Sequence, residues 1–185
     1  MKLNENQLKE IDEKGYLILP DCFSNEEVNN LRKAMTTVFN EKTEANIVEK
    51  SSGVVRTAMG LHLRSKIFDN LTRHPKFFEP ACQIRGRNLY IQQTKINVKA
   101  AFTGEVWQWH YDFATHSGED GAPKPLALNL HVFLDDVTEF NGPLFFIPKS
   151  HKYASAPSKL DTVTTNYPLW VVDQQTVKTL VKENG

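Results

Sequence analysis

The hydrophobic pattern of this chain changes near residue 88, and this change limits the folds available to it. Up to residue 87 the apolar residues recur mainly at helical spacing, whereas from Asn88 onward β-branched and aromatic residues become frequent. Runs typical of strands lie near residues 88–99, 105–112, 126–134 and 143–148. A helical layer followed by antiparallel strands predicts an α+β fold.

Several helix boundaries can be located in the first part of the chain. Residues 6–14 are predicted to form a helix that stops at Gly15, and Ser24-Asn25-Glu26-Glu27 fits a capping box that opens a helix running to about Asn40. The buried face of that second helix is predicted to carry Val28, Leu31, Met35 and Val38. Further expected elements are strands over 16–19 and 54–58, helices after Ser65 and Pro75, and a helix over 173–183.

Length and charge exclude several classes of protein. With 185 residues the chain suits one core, and we expect a single domain over 1–185, in which 1–87 form the helical layer. The 22 basic residues balance the 22 acidic ones without a long basic run, so no nucleic-acid partner is predicted. The N-terminus lacks the apolar core of a signal peptide, and no apolar run is long enough to cross a membrane, so a cytoplasmic protein without membrane contact is expected. Cys22 and Cys82 are isolated and are interpreted as reduced thiols.

The segment Trp107-Gln108-Trp109-His110-Tyr111-Asp112 places an imidazole and a carboxylate two residues apart in a predicted strand. Residues i and i+2 of a strand share a face, so His110 and Asp112 are able to bind one metal ion together. With one further histidine they would form the 2-His-1-carboxylate triad of non-haem Fe(II) oxygenases. Taken alone, the triplet is a weak signal, and a half-exposed polar pair is the alternative.

Segments around this pair carry a more specific pattern. The resembling blocks are residues 90–97, 105–113, 120–123, Asn129 with 132–134, and 137–144. Fainter similarity extends to residues 15–17 and 55–56. Together these blocks resemble the phytanoyl-CoA dioxygenase (PhyH) superfamily of Fe(II)/2-oxoglutarate oxygenases, and within it the ectoine hydroxylases and the free L-leucine hydroxylases.

The resemblance implies both a fold and a set of cofactors. The fold would be a double-stranded β-helix (a cupin-like jelly roll) over 88–185, with the N-terminal helices packed on one sheet. The cofactors would be Fe(II), with 2-oxoglutarate and O2 as cosubstrates, and His110 and Asp112 would be catalytic metal ligands. The chemistry would be hydroxylation that releases succinate and CO2.

Polar side chains alternate along the predicted strand at 88–99. Gln93, Lys95 and Asn97 share one face, which is interpreted as facing inward, although the exposed face of an antiparallel sheet would also alternate in this way. Since the resembled hydroxylases place a glutamine near substrate at this point, Gln93 is predicted to bind substrate. Lys95 and Asn97 are predicted to bind the cosubstrate.

The next predicted strand also has two distinct faces. Leu128, Leu130, Val132 and Leu134 form an apolar face suited to pack on helices, which leaves Asn129, His131 and Phe133 to line the interior. Asn129 is predicted to hydrogen-bond the cosubstrate. His131 is a possible third ligand, but a hydrogen-bonding role is favoured for it.

Arg56 and His116 complete the predicted substrate site. An arginine at residue 56 would pair bidentately with a substrate carboxylate, and a surface arginine is the equal alternative. His116 falls where ectoine hydroxylases usually have tryptophan, which weakens an ectoine assignment. His74 and His151 are interpreted as structural, the latter as a side chain that anchors a turn.

The resembled family also needs a distal histidine on a late strand, followed by an arginine or similar group that binds 2-oxoglutarate. The sequence reaches Gly185 before either group appears. We therefore expect a C-terminally incomplete domain whose last strands are missing.

The leading hypothesis is hydroxylation of an unactivated C–H bond in a small free amino acid or amino-acid derivative. Halogenation is a second possibility, but it requires a small residue in place of the carboxylate ligand, so Asp112 argues against it. A third is a non-catalytic, cupin-like metabolite-binding module or truncated pseudoenzyme. The sequence does not choose between leucine, ectoine, proline or another zwitterion.

Overall fold

A computed structural model describes residues 1–102, 104–153, 158–164 and 166–185. Its helices are α1 (Glu5–Lys14), α2 (Asn25–Phe39), α3 (Leu61–Arg64), α4 (Lys66–Thr72), α5 (Pro75–Arg85), α6 (Asp112–Gly118) and α7 (Gln174–Asn184), with a 3-10 turn at Ser150–Tyr153. Its strands are β1 (Asn46–Val48), β2 (Val55–Met59), β3 (Lys95–Asn97), β4 (Ser158–Asp161) and β5 (Leu169–Val172). The α+β class is confirmed, with short sheets.

The chain divides into two compact units, each made of segments that are separate in sequence. The first unit contains Met1–Leu3, Leu19–Glu105 and Asn129–Pro143, and the second contains Asn4–Ile18, Val106–Leu128 and Leu144–Gly185. The single domain expected over 1–185 stays a prediction. No helix in the described ranges is long and apolar enough to cross a membrane.

The first unit is built on α2 and a three-stranded antiparallel sheet. The sheet has the order β1-β2-β3, and its register pairs Thr57 with Asn97. The predicted capping box is confirmed, because the Ser24 hydroxyl accepts a hydrogen bond from the Glu27 amide and the Glu27 carboxylate accepts one from the Ser24 amide. The core of this unit consists of Leu31, Ala34, Val38, Ala58, Leu61 and Phe68. Val132 and Leu134 pack against it, as predicted for their face.

Arg64 connects four elements of the first unit. Its guanidinium donates hydrogen bonds to the carbonyl oxygens of Met59 and Val38 and to the side-chain oxygen of Asn46, at 2.9–3.1 Å. It also pairs with the Glu41 carboxylate at 2.8 Å. Because only 13% of the side chain is exposed, these bonds replace water at the ends of α2 and β2.

The second unit contains α1, α6, α7 and the β4–β5 hairpin. Gly15 ends α1 as predicted, with a positive φ of 86°. The Lys14 carbonyl accepts a hydrogen bond from the Lys149 amide at 2.8 Å, and the rings of Tyr16 and Phe146 stack with centroids 5.2 Å apart. These contacts attach the C-terminal end of α1 to the segment before the 3-10 turn.

Several predicted strands are wrong in the described parts of the chain. Residues 16–19, 126–134 and 143–148 form no strand, and of residues 88–99 only Lys95–Asn97 do. Residues 112–118, for which no helix was predicted, form α6. The pattern of apolar residues does not supply a neighbouring strand for the backbone to pair with, and without one several of these apolar side chains, among them Leu130 and Leu144, stay exposed.

Candidate metal centre

The segment that carries His110 is fixed against β5, although residues 105–112 do not form the predicted strand. His110 makes an isolated antiparallel bridge with Val171, and the Trp109 carbonyl accepts a hydrogen bond from the Val172 amide at 2.8 Å. Neighbouring rings of Trp107 and Tyr167 lie 6.2 Å apart. The backbone of this segment is therefore held in place on both sides of Gln108.

The ring of His110 has a defined orientation. Its Nδ1 atom lies 2.6 Å from the carbonyl oxygen of Gln108. Because a carbonyl can only accept, Nδ1 carries the proton that is donated to it, and Nε2 is the ring nitrogen that faces Asp112. This is the arrangement typical of metal-binding histidines, in which one nitrogen donates to the protein and the other faces the metal.

Asp112 is positioned by the start of α6. Tyr111 is extended, with φ −109° and ψ 128°, and Asp112 is the first residue of the helix. Its Oδ1 atom lies 3.3 Å from Nε2 of His110, and the two side chains are 28% and 33% exposed, His110 first. The pair thus converges at a turn from extended chain into helix, and not as alternate residues of a strand.

The convergence of these two groups fits a metal ion. Nε2 of the neutral imidazole and the ionised carboxylate are both acceptors, so they attract a shared cation or proton. Tyr111 lies between them in sequence, and burial raises the pKa of its hydroxyl, which has no hydrogen-bond partner among the described residues. Within the described ranges no third His, Cys, Asp or Glu joins the pair.

The predicted cosubstrate residues belong to the first unit, whereas His110 and Asp112 belong to the second. Asn97 accepts a hydrogen bond from the Thr57 hydroxyl at 3.1 Å, Lys95 is half-buried and Asn129 is exposed. Gln93, the predicted substrate contact, is exposed. The roles of these side chains stay predictions.

Arg56 is buried, which excludes the alternative of a surface arginine. Its Nη1 atom lies 3.3 Å from the Glu49 carboxylate and 3.8 Å from that of Glu105, and only 1% of the Arg56 and Glu49 side chains is exposed. Burial, the largest single effect, raises the pKa of Glu105, but the hydrogen bonds with Glu49 and the Lys50 amide and the charge of Arg56 together lower it below its usual value. A substrate carboxylate would have to compete with these two carboxylates, so the substrate role of Arg56 stays a prediction.

His116 lies one helical turn after Asp112 in α6. Its Nδ1 atom is 2.9 Å from Oδ2 of Asp120, and 14% of its side chain is exposed. The carboxylate therefore fixes the orientation of the imidazole. Contact between His116 and substrate stays a prediction.

Sequence reasoning missed the residues around Gln108. The Gln108 amide donates to the Thr164 hydroxyl at 3.2 Å, and that hydroxyl lies 2.5 Å from the Asp161 carboxylate. An Asp followed three residues later by Thr is typical of a side-chain-capped turn and was the available signal. Its connection to residue 108 depends on a contact across 56 positions, which no local pattern contains.

Residues 11–182 match the family of phytanoyl-CoA dioxygenase (PhyH), so the chain belongs to this family. The ectoine dioxygenase of Bordetella parapertussis is 36% identical over 154 residues, which are 81% of this chain and 50% of that protein. The L-proline trans-4-hydroxylase of Streptomyces griseoviridis is 39% identical over 136 residues, or 74% of this chain and 51% of that protein. The chain spans about half the length of these relatives.

Solved structures give the same relationship. EctD from S. alaskensis with 2-oxoglutarate and 5-hydroxyectoine superimposes with a TM-score of 0.84 at 30% identity, covering 99% of this chain and 62% of that chain. EctD from S. alaskensis with bound Fe also gives a TM-score of 0.84, at 28% identity. The resemblance inferred from the sequence is confirmed.

Proposed function

We propose that the chain takes part in Fe(II)- and 2-oxoglutarate-dependent hydroxylation of an unactivated C–H bond in a small free amino acid or amino-acid derivative. One observation carries this proposal: Nε2 of His110 and Oδ1 of Asp112 converge at 3.3 Å while Nδ1 is engaged by the Gln108 carbonyl. Family membership and the iron-bound and 2-oxoglutarate-bound relatives support it. The double-stranded β-helix remains part of this proposal.

In the proposed site His110 and Asp112 hold the metal. When bound, Fe(II) and 2-oxoglutarate supply the oxidation, in which dioxygen gives one oxygen atom to the C–H bond and the other to succinate, with loss of CO2. The Gln108 carbonyl keeps the proton on Nδ1, so that Nε2 is available as a donor to the metal. The partial exposure of both side chains leaves space for small molecules beside them.

Ectoine and L-proline define the substrate class to be tested. Each appears in the name of a relative, an ectoine dioxygenase that is 36% identical to this chain and an L-proline trans-4-hydroxylase that is 39% identical. His116, oriented by Asp120, offers a polar group to a zwitterion, and it stands where ectoine hydroxylases usually have tryptophan. We therefore propose an amino acid of proline size ahead of ectoine, with Gln93 and Arg56 as the other predicted substrate contacts and Asn129, Lys95 and Asn97 as predicted cosubstrate contacts.

The test is an anaerobic titration of the protein with Fe(II) and 2-oxoglutarate, which follows the visible charge-transfer band of the iron chelate. We expect the band in the wild type and its loss in Asp112→Ala. Glu119→Ala, which removes an exposed carboxylate just after α6, is the matched control and should keep the band. Addition of oxygen and L-proline or ectoine should then give succinate in the wild type and in the Glu119→Ala control, but not in Asp112→Ala.

A band of equal intensity in Asp112→Ala would overturn the ligand assignment. The alternative of a non-catalytic metabolite-binding module is favoured by one observation, the lack of a third protein donor beside His110 and Asp112 in the described residues. It predicts that 2-oxoglutarate binds without being consumed. Calorimetric binding with no succinate formed over many hours would therefore support the module and contradict the enzyme.

A further inference from the structure

We infer that Gln108, Thr164 and Asp161 are positioning residues that hold the His110 ring in its metal-binding orientation. This inference rests on the proposed role of His110 as a metal ligand. The three side chains are called the loop tether. They connect the residues after β4 to residue 108, whose backbone carbonyl accepts a hydrogen bond from Nδ1 of His110. All of them belong to the second unit.

The loop tether begins at Asp161, the last residue of β4. Its Oδ1 atom accepts hydrogen bonds from the amides of Val163 and Thr164 at 2.8 and 3.0 Å. Its Oδ2 atom accepts one from the Thr164 hydroxyl at 2.5 Å. These bonds fix the turn, and they hold the pKa of Asp161 well below its usual range, so the carboxylate is ionised at neutral pH.

Thr164 transmits this order to Gln108. The Thr164 hydroxyl has a single hydrogen, which it donates in a hydrogen bond to Asp161. Its oxygen therefore accepts the hydrogen bond from the Gln108 side-chain amide at 3.2 Å. The direction of both bonds is therefore determined. A hydroxyl polarised by an ionised carboxylate is also a better acceptor for the amide.

Gln108 acts on His110 through its backbone. Its side chain is held by Thr164, and its carbonyl oxygen lies 2.6 Å from Nδ1 of His110. The next carbonyl, that of Trp109, is bound by the Val172 amide. With both ends secured, the Gln108 carbonyl cannot turn away from the ring without breaking a further hydrogen bond. Nδ1 therefore keeps its hydrogen bond to this carbonyl, and Nε2 stays directed at Asp112.

Two variants remove the loop tether without touching His110. Thr164→Val keeps the shape of the side chain and removes the hydroxyl, and Gln108→Met keeps the length and removes the amide. Thr164→Ser retains the hydroxyl and should behave as the wild type. Thr179→Val in α7 is the matched control, because the Thr179 hydroxyl donates to a carbonyl of its own helix, that of Gln175.

The first readout is nitrogen-15 NMR of the metal-free protein, recorded about two pH units above the ordinary imidazole pKa of about 6.5. In the wild type, Thr164→Ser and Thr179→Val we expect His110 to carry its proton on Nδ1. In Thr164→Val and Gln108→Met we expect a mixture of the two tautomers. The second readout is the dissociation constant for Fe(II), which should rise about tenfold in these two variants, by analogy with other partners of metal ligands.

The double variant should be no worse than either single one, because both remove the same connection. Retention of the pure Nδ1-protonated ring and of wild-type Fe(II) affinity in both single variants would overturn the inference. Effects that simply add in the double variant would overturn it as well. If the wild type binds no Fe(II), the proposed function fails, but the tautomer measurement still decides the role of the loop tether. Thermal unfolding of each variant shows that it is folded.

Discussion

The imidazole of His151 packs against Gly15 so closely that no Cβ atom fits between them. Gly15 ends α1 in the left-handed region, and Nε2 of His151 lies 3.1 Å from the carbonyl oxygen of Asp12. The ring therefore fills the space beside the glycine and binds one of the free carbonyls at the end of α1. His151 was predicted to anchor a turn, and it does so by binding the end of α1.

Gly15→Ala should lower the free energy of unfolding by about 2 kcal/mol or more, because a left-handed alanine costs about 1–2 kcal/mol and His151 must also move. Gly53→Ala is the matched control, since Gly53 has a φ of 69° but no atom of the described residues lies within 4 Å of an added Cβ. Urea unfolding of both variants measures the difference. Equal losses would show that the contact with His151 contributes nothing.

Arg64→Met should destabilise the protein by about 3 kcal/mol, because it removes the Arg64 hydrogen bonds to the Met59 carbonyl, to the Asn46 side-chain oxygen and to the Val38 carbonyl, of which the last keeps further donors in the Asn46 side chain and the Glu41 amide. Arg73→Met should change stability by less than about 0.5 kcal/mol, because Arg73 is 75% exposed and forms a surface ion pair with Asp69. Thermal and urea unfolding distinguish the two. A small effect at Arg64 would contradict its role as a connection between elements.

Glu27 should make stability depend on pH in the acid range. A hydrogen bond from Lys76, followed by those from Ser24, lowers its pKa from 4.5 to about 2. Since the folded pKa lies below the unfolded one, the stabilisation is complete above about pH 4.5 and is lost as the pH falls towards 2. The stability difference between wild type and Glu27→Gln should follow this curve. In a Lys76→Met background most of that pH dependence should disappear, and its persistence would assign it to other groups.

Arg56→Met should cost about 3–5 kcal/mol, because it leaves the Glu49 carboxylate buried without its partner. The double variant Arg56→Met with Glu49→Met should recover most of this loss, since two apolar side chains replace the ion pair. Denaturant unfolding measures both. A double variant that folds but no longer binds substrate would support the predicted substrate contact of Arg56.

Local signals in the sequence were sufficient for α1, α2, α4, α5 and α7, whereas α3 and α6 were not predicted. The Ser24 capping box and the Gly15 stop depend on neighbours within a few residues, and both are present. The strand predictions failed for a different reason. Val132 and Leu134 do face the core, but strands also require hydrogen bonds from a partner segment, and alternation of side chains contains no information on that partner.

The candidate site was likewise predicted only where the signal is local in the sequence. The convergence of His110 and Asp112 was predicted from a spacing of two residues, yet the geometry arises from a helix that starts at Asp112. The partners of Arg56 were not predictable, because Glu49 and Glu105 come from distant positions and burial decides which charges must pair. The cytoplasmic location and the absence of a nucleic-acid partner stay predictions.

Since Asp112 is the first residue of α6, a cation held by its carboxylate would also fasten the beginning of that helix. Metal binding and formation of the helix over residues 112–118 would then be coupled equilibria, so that metal binding would stabilise the helix and the formed helix would raise the metal affinity. Backbone amide exchange in Ala114 and Thr115 would slow as iron is added and quicken under a chelator. Amide exchange in this helix would therefore report whether the metal site is occupied, even when no substrate is turned over.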